Sequence, residues 1–252
     1  SPPEYRPKVF LRFLAQTTDP DDFLIREGMF DWMRRYEQMV DEFVTGIIVA
    51  SEEFVAHLRT AGFKKPIFVT GLPFGKEEVQ SRIPNPKPLN ERSNRVGFAA
   101  RWDDEKQPHF YMDLAEKWHT NSNSTTEFAI CCGGPLRSND EKFLKRAKEL
   151  DDAGIIKIYE NLKKDEYYNI LANSKVLFNC ALQDWVSNTV SEADTLGAMT
   201  LFPAYRSFPE VFANNAEQMY IPWSLTDAYE KLKHLLTTYD IPPEWVGKVS
   251  DY

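Results

Sequence analysis

The sequence is poor in cysteine and histidine, which restricts the chemistry it can carry. Its three cysteines, Cys131, Cys132 and Cys180, lie in or beside apolar segments. An odd number of cysteines without paired metal-ligand spacing favours neither a disulfide framework nor a zinc site. We therefore interpret all three as reduced core residues and predict a cytoplasmic protein. The four histidines also show no metal-ligand spacing, so we predict no metal site.

Long apolar segments and an excess of positive charge are also missing. No apolar run approaches the roughly 20 residues that a membrane-spanning helix needs, and the first residues do not read as a signal peptide. The chain has 30 basic and 38 acidic residues, a net charge of −8. This balance argues against a broad nucleic-acid-binding surface and leaves a local basic groove open.

Strand-like and helix-like segments alternate along the 252 residues, which is typical of an α/β fold with parallel sheets. Short apolar runs predict strands at 8–16, 46–51, 66–73, 95–102, 128–135, 155–161, 175–182, 199–203 and 219–224. Amphipathic spacing and caps predict helices at 28–43, 52–63, 109–118, 141–154, 165–174, 187–198 and 228–236. We expect Asp21 or Asp22 to cap the first of these helices.

A proline-rich segment divides the chain into two parts. Pro84, Pro86 and Pro88 alternate within it, and such prolines stiffen an extended connection and oppose regular structure. We therefore predict a first domain at 1–75, a linker at 76–92 and a second domain at 93–252.

The segment 183–203, QDWVSNTVSEADTLGAMTLFP, places polar side chains and a helix start directly behind a predicted strand. Ser187 or Asn188 can cap this helix, whose first N–H groups suit a phosphate. Asp184 and Glu192 are separated by seven residues. A carboxylate such as Glu192 can accept two hydrogen bonds from adjacent hydroxyls, as a ribose presents. The alternative is that Asp184 is a turn residue and Glu192 a solvated helix residue.

Two cations follow the predicted strand at 95–102. Arg101 ends the strand and Lys106 lies in the loop behind it, where a guanidinium and an ammonium suit a diphosphate. The alternative is a surface pairing with the acidic residues between them. The next predicted strand, 128–135, ends in a turn with Gly133 and Gly134, which allow a close approach to a ligand or only form the turn.

With these residues the chain resembles the retaining GT-B glycosyltransferases of the family-4 kind, the glycosyl transferases of group 1. The likeness rests on the segment 183–203 and on the Arg, four residues, Lys pattern at 101 and 106. It implies two Rossmann-like domains with parallel sheets, of which the N-terminal one is incomplete in this chain or unusually small. The first acid is usually Glu in that family, and Trp185, Val186 and Ser187 replace its usual Gly-Phe-Gly.

The resemblance implies a hexosyltransferase that moves a sugar from a UDP-sugar or another nucleoside diphosphate sugar to a hydroxyl acceptor, with retention and without metal or cofactor. Its catalytic residues would be Arg101, Lys106, Asp184 and Glu192. Among them, Arg101 and Lys106 grip the phosphates, Asp184 meets the sugar and Glu192 holds the ribose. The other donor-binding residues would be Gly133, Ile158, Tyr159, Ser187, Asn188 and Thr189, with Ile158 and Tyr159 beside the base.

Two other classes of function compete with this one. A glycoside hydrolase needs two carboxylates across a glycosidic bond but has no use for a phosphate-binding Arg and Lys. A non-catalytic nucleotide-sugar-binding module, or a truncated and inactive GT-B domain, fits the departures at Asp184 and Trp185. The acceptor alternatives are a carbohydrate, a lipid-linked sugar, a protein and a modified base in DNA, and the acidic net charge disfavours DNA.

Overall fold

The structure, a computed structural model, describes residues 7–14, 17–122, 125–212 and 215–248. The chain splits into two compact units, Ser1–Pro73 with Gln183–Val186 and Phe74–Leu182 with Ser187–Tyr252. Each unit contains a parallel sheet with helices between its strands, which confirms the predicted α/β class. No helix in the described part of the chain is long and apolar enough to cross a membrane.

The first unit has a three-stranded parallel sheet of order β1-β2-β3. Its strands are β1 (Phe10–Arg12), β2 (Gly46–Val49) and β3 (Ile67–Val69). Its helices are α1 (Phe23–Arg26), α2 (Phe30–Phe43) and α3 (Glu52–Thr60). Residues 15–16 of the strand predicted at 8–16 lie outside the described residues.

The structure differs from the single helix predicted at 28–43 at its N-terminal end, where it has two separate helices, α1 and α2. The Asp22 carboxylate accepts a hydrogen bond from the Leu24 N–H at 3.0 Å, which caps the short helix α1 rather than α2. Gly28 then adopts a left-handed conformation, with φ of 71°. A helix cannot continue through such a residue, so α2 starts again at Phe30.

The second unit has a six-stranded parallel sheet of order β6-β5-β4-β7-β8-β9. Its strands are β4 (Ser93–Phe98), β5 (Glu127–Cys131), β6 (Ile156–Tyr159), β7 (Ser174–Phe178), β8 (Met199–Pro203) and β9 (Met219–Tyr220). Its helices are α4 (Lys76–Arg82), α5 (Pro108–Asn121), α6 (Glu141–Asp152), α7 (Lys164–Ala172), α8 (Asn188–Thr195), α9 (Phe208–Val211) and α10 (Leu225–Thr238).

This strand order reverses next to β4. The chain proceeds from β4 outward through β5 to β6, and then returns to place β7 on the other side of β4. A crevice forms beyond the carboxyl ends of the two central strands, because their following connections diverge to opposite sides of the sheet. This is where ligands bind in doubly wound α/β folds.

The interpretation of 76–92 as an extended connection is wrong for its first seven residues, which form helix α4. The prolines begin only at Pro84, and the sequence KEEVQSR ahead of them consists mostly of good helix formers. Glu78 and Arg82 form an ion pair across one turn of this helix, with an N–O distance of 3.1 Å. The buried side chain of Val79 packs the helix onto the second unit.

The buried side chain of Arg92 joins three segments of the second unit. Its guanidinium donates hydrogen bonds to the carbonyl oxygens of Lys87 at 2.8 Å, Ser174 at 3.3 Å and Leu196 at 2.7 Å. Burial lowers the pKa of Arg92 to about 10, so the group remains charged at neutral pH. Gly197 leaves room for it, since a Cβ there would lie 2.8 Å from Arg92 Nη2.

We expect Arg92→Met to destabilise the protein by roughly 2–4 kcal/mol, because the substitution leaves several buried carbonyl groups without donors. Urea denaturation followed by circular dichroism measures the change. Arg82→Met is the matched control, since Arg82 forms exposed ion pairs with Glu78 and Asp165 and its loss should leave the denaturation midpoint near wild type. Equal midpoints for the two variants would contradict the assigned role of Arg92.

Candidate functional site

A cavity of about 710 Å³ opens at the carboxyl ends of β4 and β5 in the second unit. This volume falls within the range of roughly 300–1,000 Å³ that is usual for small-molecule sites. Its walls come from the segment after β4, the loop after β5, the start of α7 and the start of α8. The lining residues are 99–103, 131–139, Leu162, Lys164, Tyr167, Asn188, Thr189 and Glu192.

Five of the predicted site residues line this one cavity. They are Arg101, Gly133, Asn188, Thr189 and Glu192. Lys106, Ile158, Tyr159 and Ser187 belong to the same unit but are not among the lining residues. Asp184 belongs to the other unit.

Glu192 lies in the first turns of α8 and is only 7% exposed. Its carboxylate accepts hydrogen bonds from Lys164 Nζ at 2.7 Å, from the Tyr167 hydroxyl at 2.8 Å and from the Tyr168 hydroxyl at 3.0 Å. The interpretation of Glu192 as a solvated helix residue is therefore wrong. Three donors fix the carboxylate in place, as a binding group requires.

Lys164 lies close to both tyrosine rings as well as to Glu192. Its Nζ lies 5.3 Å from the ring centroid of Tyr167 and 4.7 Å from that of Tyr168. Burial by itself would lower the pKa of Lys164, but the hydrogen bonds and electrostatic interactions with Glu192 and Tyr168 together outweigh burial and raise it. Burial and the charge of Glu192 also raise the pKa of Tyr167 well above its usual value. The lysine is therefore charged and this tyrosine neutral at physiological pH.

Sequence reasoning missed Lys164, Tyr167 and Arg137 as cavity residues. Lys164 and Tyr167 stand at positions i and i+3 of α7, which places them on one face of the helix. That spacing could have indicated from the sequence that the two side chains contribute to one site. Arg137 follows the predicted glycine turn and is exposed on the cavity wall, which adds a second guanidinium to the site.

Arg101 lines the cavity while it pairs with two acidic neighbours. Its Nη1 lies 3.1 Å from Asp103 and its Nη2 lies 2.7 Å from Glu105. The predicted alternative of local pairing and the predicted placement at the cavity are therefore both observed. Glu105 is fully buried, and this burial raises its pKa.

Lys106 is placed differently from Arg101. It ends a 3₁₀ turn, Asp104–Lys106, and is only 8% exposed. The Cys180 thiol donates to its backbone carbonyl at 3.3 Å, so this turn packs against the segment that follows β7. The predicted spacing therefore brings the backbone of Lys106 close to the central strands without making the residue part of the cavity wall.

Asn188 and Thr189, at the start of α8, line the cavity. The first intrahelical hydrogen bond is donated by the Ser191 N–H to the Ser187 carbonyl at 3.1 Å, so the N–H groups of Asn188 and Thr189 precede it. Ser187 occupies the cap position, as predicted, but makes no side-chain cap. Its hydroxyl accepts from Asn179 Nδ2 at 3.0 Å instead.

The two residues predicted beside a base are engaged elsewhere. The Tyr159 hydroxyl donates to Glu127 Oε1 at 3.0 Å, and Arg95 lies over its ring at 5.7 Å. Ile158 packs partly buried against the core of the second unit. Both lie on β6, and neither is among the residues that line the cavity.

Trp185, where the resembled family has glycine, is a core residue of the first unit. It is 8% exposed and stacks on Phe54, with ring centroids 4.0 Å apart and an interplanar angle of 14°. His57 contacts the same indole edge-on at 5.3 Å. The departure from glycine therefore has a packing role, and Asp184 precedes this anchored side chain.

The cavity thiols are not nucleophiles at neutral pH. Burial raises the pKa of Cys131 to about 12 and that of Cys132 to about 11, so both remain protonated.

The His109 ring packs on the Phe143 ring, with the ring centroids 3.9 Å apart, and its Nδ1 lies 3.1 Å from Arg146 Nη1. His109 is not among the residues that line the cavity. Within the described residues, no group of three or more His, Cys, Asp or Glu side chains is arranged to hold a metal ion.

The fold is similar to that of known glycosyltransferases. TarM of S. aureus, in a complex with fondaparinux, α-GlcNAc-glycerol and UDP, matches with a TM-score of 0.73 and 16% identity, and the match covers 97% of this chain and 47% of that one. Sucrose-phosphate synthase from Thermosynechococcus elongatus matches with a TM-score of 0.65 and 12% identity, over 87% and 55% of the two chains.

A third match is the α,α-trehalose-phosphate synthase (UDP-forming) from Burkholderia xenovorans in complex with glucose-6-phosphate, with a TM-score of 0.71 and 9% identity, over 98% and 63% of the two chains. These likenesses establish the GT-B type of fold. The chain spans roughly half to two thirds of the length of the structures that it matches. No protein-family model and no curated protein sequence matches it.

We expect Glu105→Gln to gain stability relative to wild type as the pH rises. The folded-state pKa of Glu105 is raised by burial, so its favourable contribution is complete below the unfolded pKa of about 4.3 and is lost as pH rises through the folded pKa. Melting temperatures of both proteins from pH 4 to 8 test this. A difference in melting temperature that stays constant over that range would contradict it.

Proposed function

We propose that the protein is a glycosyltransferase that uses a nucleoside diphosphate sugar as donor. The observation that carries the proposal is that Arg101, the start of α8 and the fixed carboxylate of Glu192 line one cavity. The cavity lies at the point where the strand order reverses, the usual ligand position in such sheets. The likeness to glycosyltransferases of the same fold supports the assignment.

In the proposed mechanism, the diphosphate is the leaving group and its negative charge grows as the glycosidic bond breaks. The Arg101 guanidinium, whose Nη atoms also contact Asp103 and Glu105, donates hydrogen bonds to phosphate oxygens in this proposal. The N–H groups of Asn188 and Thr189 add the positive end of the α8 dipole. Donors fixed in advance stabilise such a charge without reorganisation during the reaction. Arg137 is a further cation on the same wall.

We further propose that Glu192 accepts hydrogen bonds from the donor ribose, as the family resemblance implies. UDP is our first candidate for the nucleotide, because the TarM complex contains UDP and the trehalose-phosphate synthase is described as UDP-forming. The acceptor is a hydroxyl group, with a carbohydrate as first candidate because the S. aureus and Burkholderia structures hold carbohydrates. Retention of configuration and independence from metal ions belong to the same proposal, as does a cytoplasmic location.

Two predicted catalytic residues keep proposed roles that need separate tests. Lys106 follows Arg101 by five positions but is buried outside the cavity wall, so its proposed contribution is to the positive potential around the phosphates. Asp184 precedes the buried indole of Trp185, and we propose that it orients the donor sugar. Gly133 gives the nucleotide room, since a Cβ there would meet nothing within 4 Å.

A non-catalytic nucleotide-sugar-binding module is the second candidate function. The burial of Lys106 favours this candidate. Trp185 also favours it, because a large packed indole stands where the resembled family has a small residue beside the sugar. Such a module would bind the same donor in the same cavity. It would differ from a transferase only in leaving the donor intact, so that no nucleoside diphosphate is released.

We expect Arg101→Ala to lower the turnover of the UDP-sugar that wild type uses best about 100- to 1,000-fold, the usual loss when one fixed donor to a developing negative charge is removed. UDP release in the presence and absence of added sugars measures turnover, and GDP- and ADP-sugars extend the donor panel. Arg82→Ala is the control, because Arg82 is an arginine of the same unit outside the cavity. Turnover of Arg101→Ala equal to wild type would contradict the proposed function. Selective donor binding without any turnover by wild type would instead favour the binding module.

A further inference from the structure

The hydrogen bonds around Glu192 occupy most of the lone-pair positions of its carboxylate, but not all of them. Oε1 accepts from Lys164 and from Tyr168, and Oε2 accepts from Tyr167. An ionised carboxylate offers about four lone-pair positions, so one position on Oε2 remains beside the three donors in the described part of the chain. Two hydroxyls that both donated to Glu192 would need a second position.

Lys164 supplies a hydrogen-bond donor beside the Glu192 carboxylate, which can only accept hydrogen bonds. It lines the same cavity as Glu192, and its side chain is 51% exposed. A lysine ammonium has three N–H donors and no acceptor. Glu192 Oε1 accepts from one of them at 2.7 Å and the Tyr168 hydroxyl from a second, which leaves the third for a ligand. The pair therefore presents a donor and an acceptor side by side at the cavity wall.

The two tyrosines differ from Lys164 in this respect. Tyr168 is buried and is not among the lining residues, so its hydroxyl contacts Glu192 Oε1 and the Lys164 ammonium rather than the cavity. Tyr167 lines the cavity, but its single hydroxyl proton is donated to Oε2. Of the three groups around the carboxylate, Lys164 is the one that combines exposure to the cavity with an unused donor.

We propose that Lys164 and Glu192 together recognise the two adjacent hydroxyls of the donor ribose, so that Lys164 is a specificity-determining residue for ribose over deoxyribose. One hydroxyl donates to the remaining position on Glu192 Oε2, and its neighbour accepts a hydrogen bond from Lys164 Nζ. This inference rests on the proposed function, because it assigns the ribose to this side of the cavity.

The charge of the pair favours the ribose over the diphosphate as the partner of Lys164. The ammonium is matched by the carboxylate at 2.7 Å, so the two together present little net charge to a phosphate. A hydroxyl oxygen needs only a hydrogen-bond donor, and a charged donor gives a stronger bond to it than a neutral one. The phosphates are better served by Arg101 and the start of α8.

The test is a set of titrations of UDP, 2′-deoxy-UDP and 3′-deoxy-UDP into wild type, Lys164→Met and Tyr168→Phe, followed by calorimetry. If wild type binds ADP or GDP more tightly than UDP, the corresponding deoxynucleotides replace the uridine series. In wild type, we expect the loss of one of the two hydroxyls to weaken binding about tenfold or more, because it removes a hydrogen bond to a charged group.

In Lys164→Met, we expect this penalty to fall to about threefold or less for the hydroxyl that Lys164 contacts, because the partner of that hydroxyl is gone. Tyr168→Phe is the matched control, since it also removes a donor to Glu192 Oε1 but cannot reach a ligand. It should keep the wild-type penalty for both hydroxyls.

Three results would overturn the inference. If wild type and Lys164→Met show the same penalty for each hydroxyl, Lys164 does not contact the ribose, while nucleotide binding still supports the proposed function. If Tyr168→Phe loses the penalty to the same extent, Lys164 only holds Glu192 in place. If wild type binds none of UDP, ADP and GDP, the inference and the proposed function both fail.

Discussion

The reversal of strand order beside β4 is the constraint on which the site depends. Parallel strands end at the same edge of a sheet, and connections that diverge on either side of β4 leave a crevice between them. The segment after β4 brings Arg101 to this crevice, and the connection from β7 brings the start of α8 with Glu192. Residues 91 positions apart in sequence thus face one cavity because of topology alone.

Within that crevice, the charges are paired before any ligand is considered. Arg101 contacts Asp103 and Glu105, and Lys164 contacts Glu192. Such pairing fixes long side chains in one geometry and so lowers the entropy that binding would otherwise cost. Under the proposed function, attraction for a diphosphate would therefore come less from net charge than from directed donors, namely the Arg101 guanidinium and the N–H groups at the start of α8.

The parts of the site that sequence could predict are those set by local pattern. Arg101 closely follows strand β4 and Thr189 lies in the first turn of α8, and apolar periodicity and turn residues indicate both positions. Lys164 was missed because its contact with Glu192 spans 28 residues and arises from packing of α7 on α8. The burial of Lys106 depends on a 3₁₀ turn closed by Gln107, which has a left-handed φ of 48°. That conformation has no clear signal in the sequence, and helix α4 was missed because distant prolines were given too much weight.

The most direct test of the account is a crystal structure of the protein with a bound nucleoside diphosphate, with UDP as the first choice. The account predicts the diphosphate between Arg101 and the N–H groups of Asn188 and Thr189, with the ribose hydroxyls within hydrogen-bond distance of Glu192. A nucleotide bound at another place, or bound in this cavity with its ribose turned away from Glu192, would contradict it.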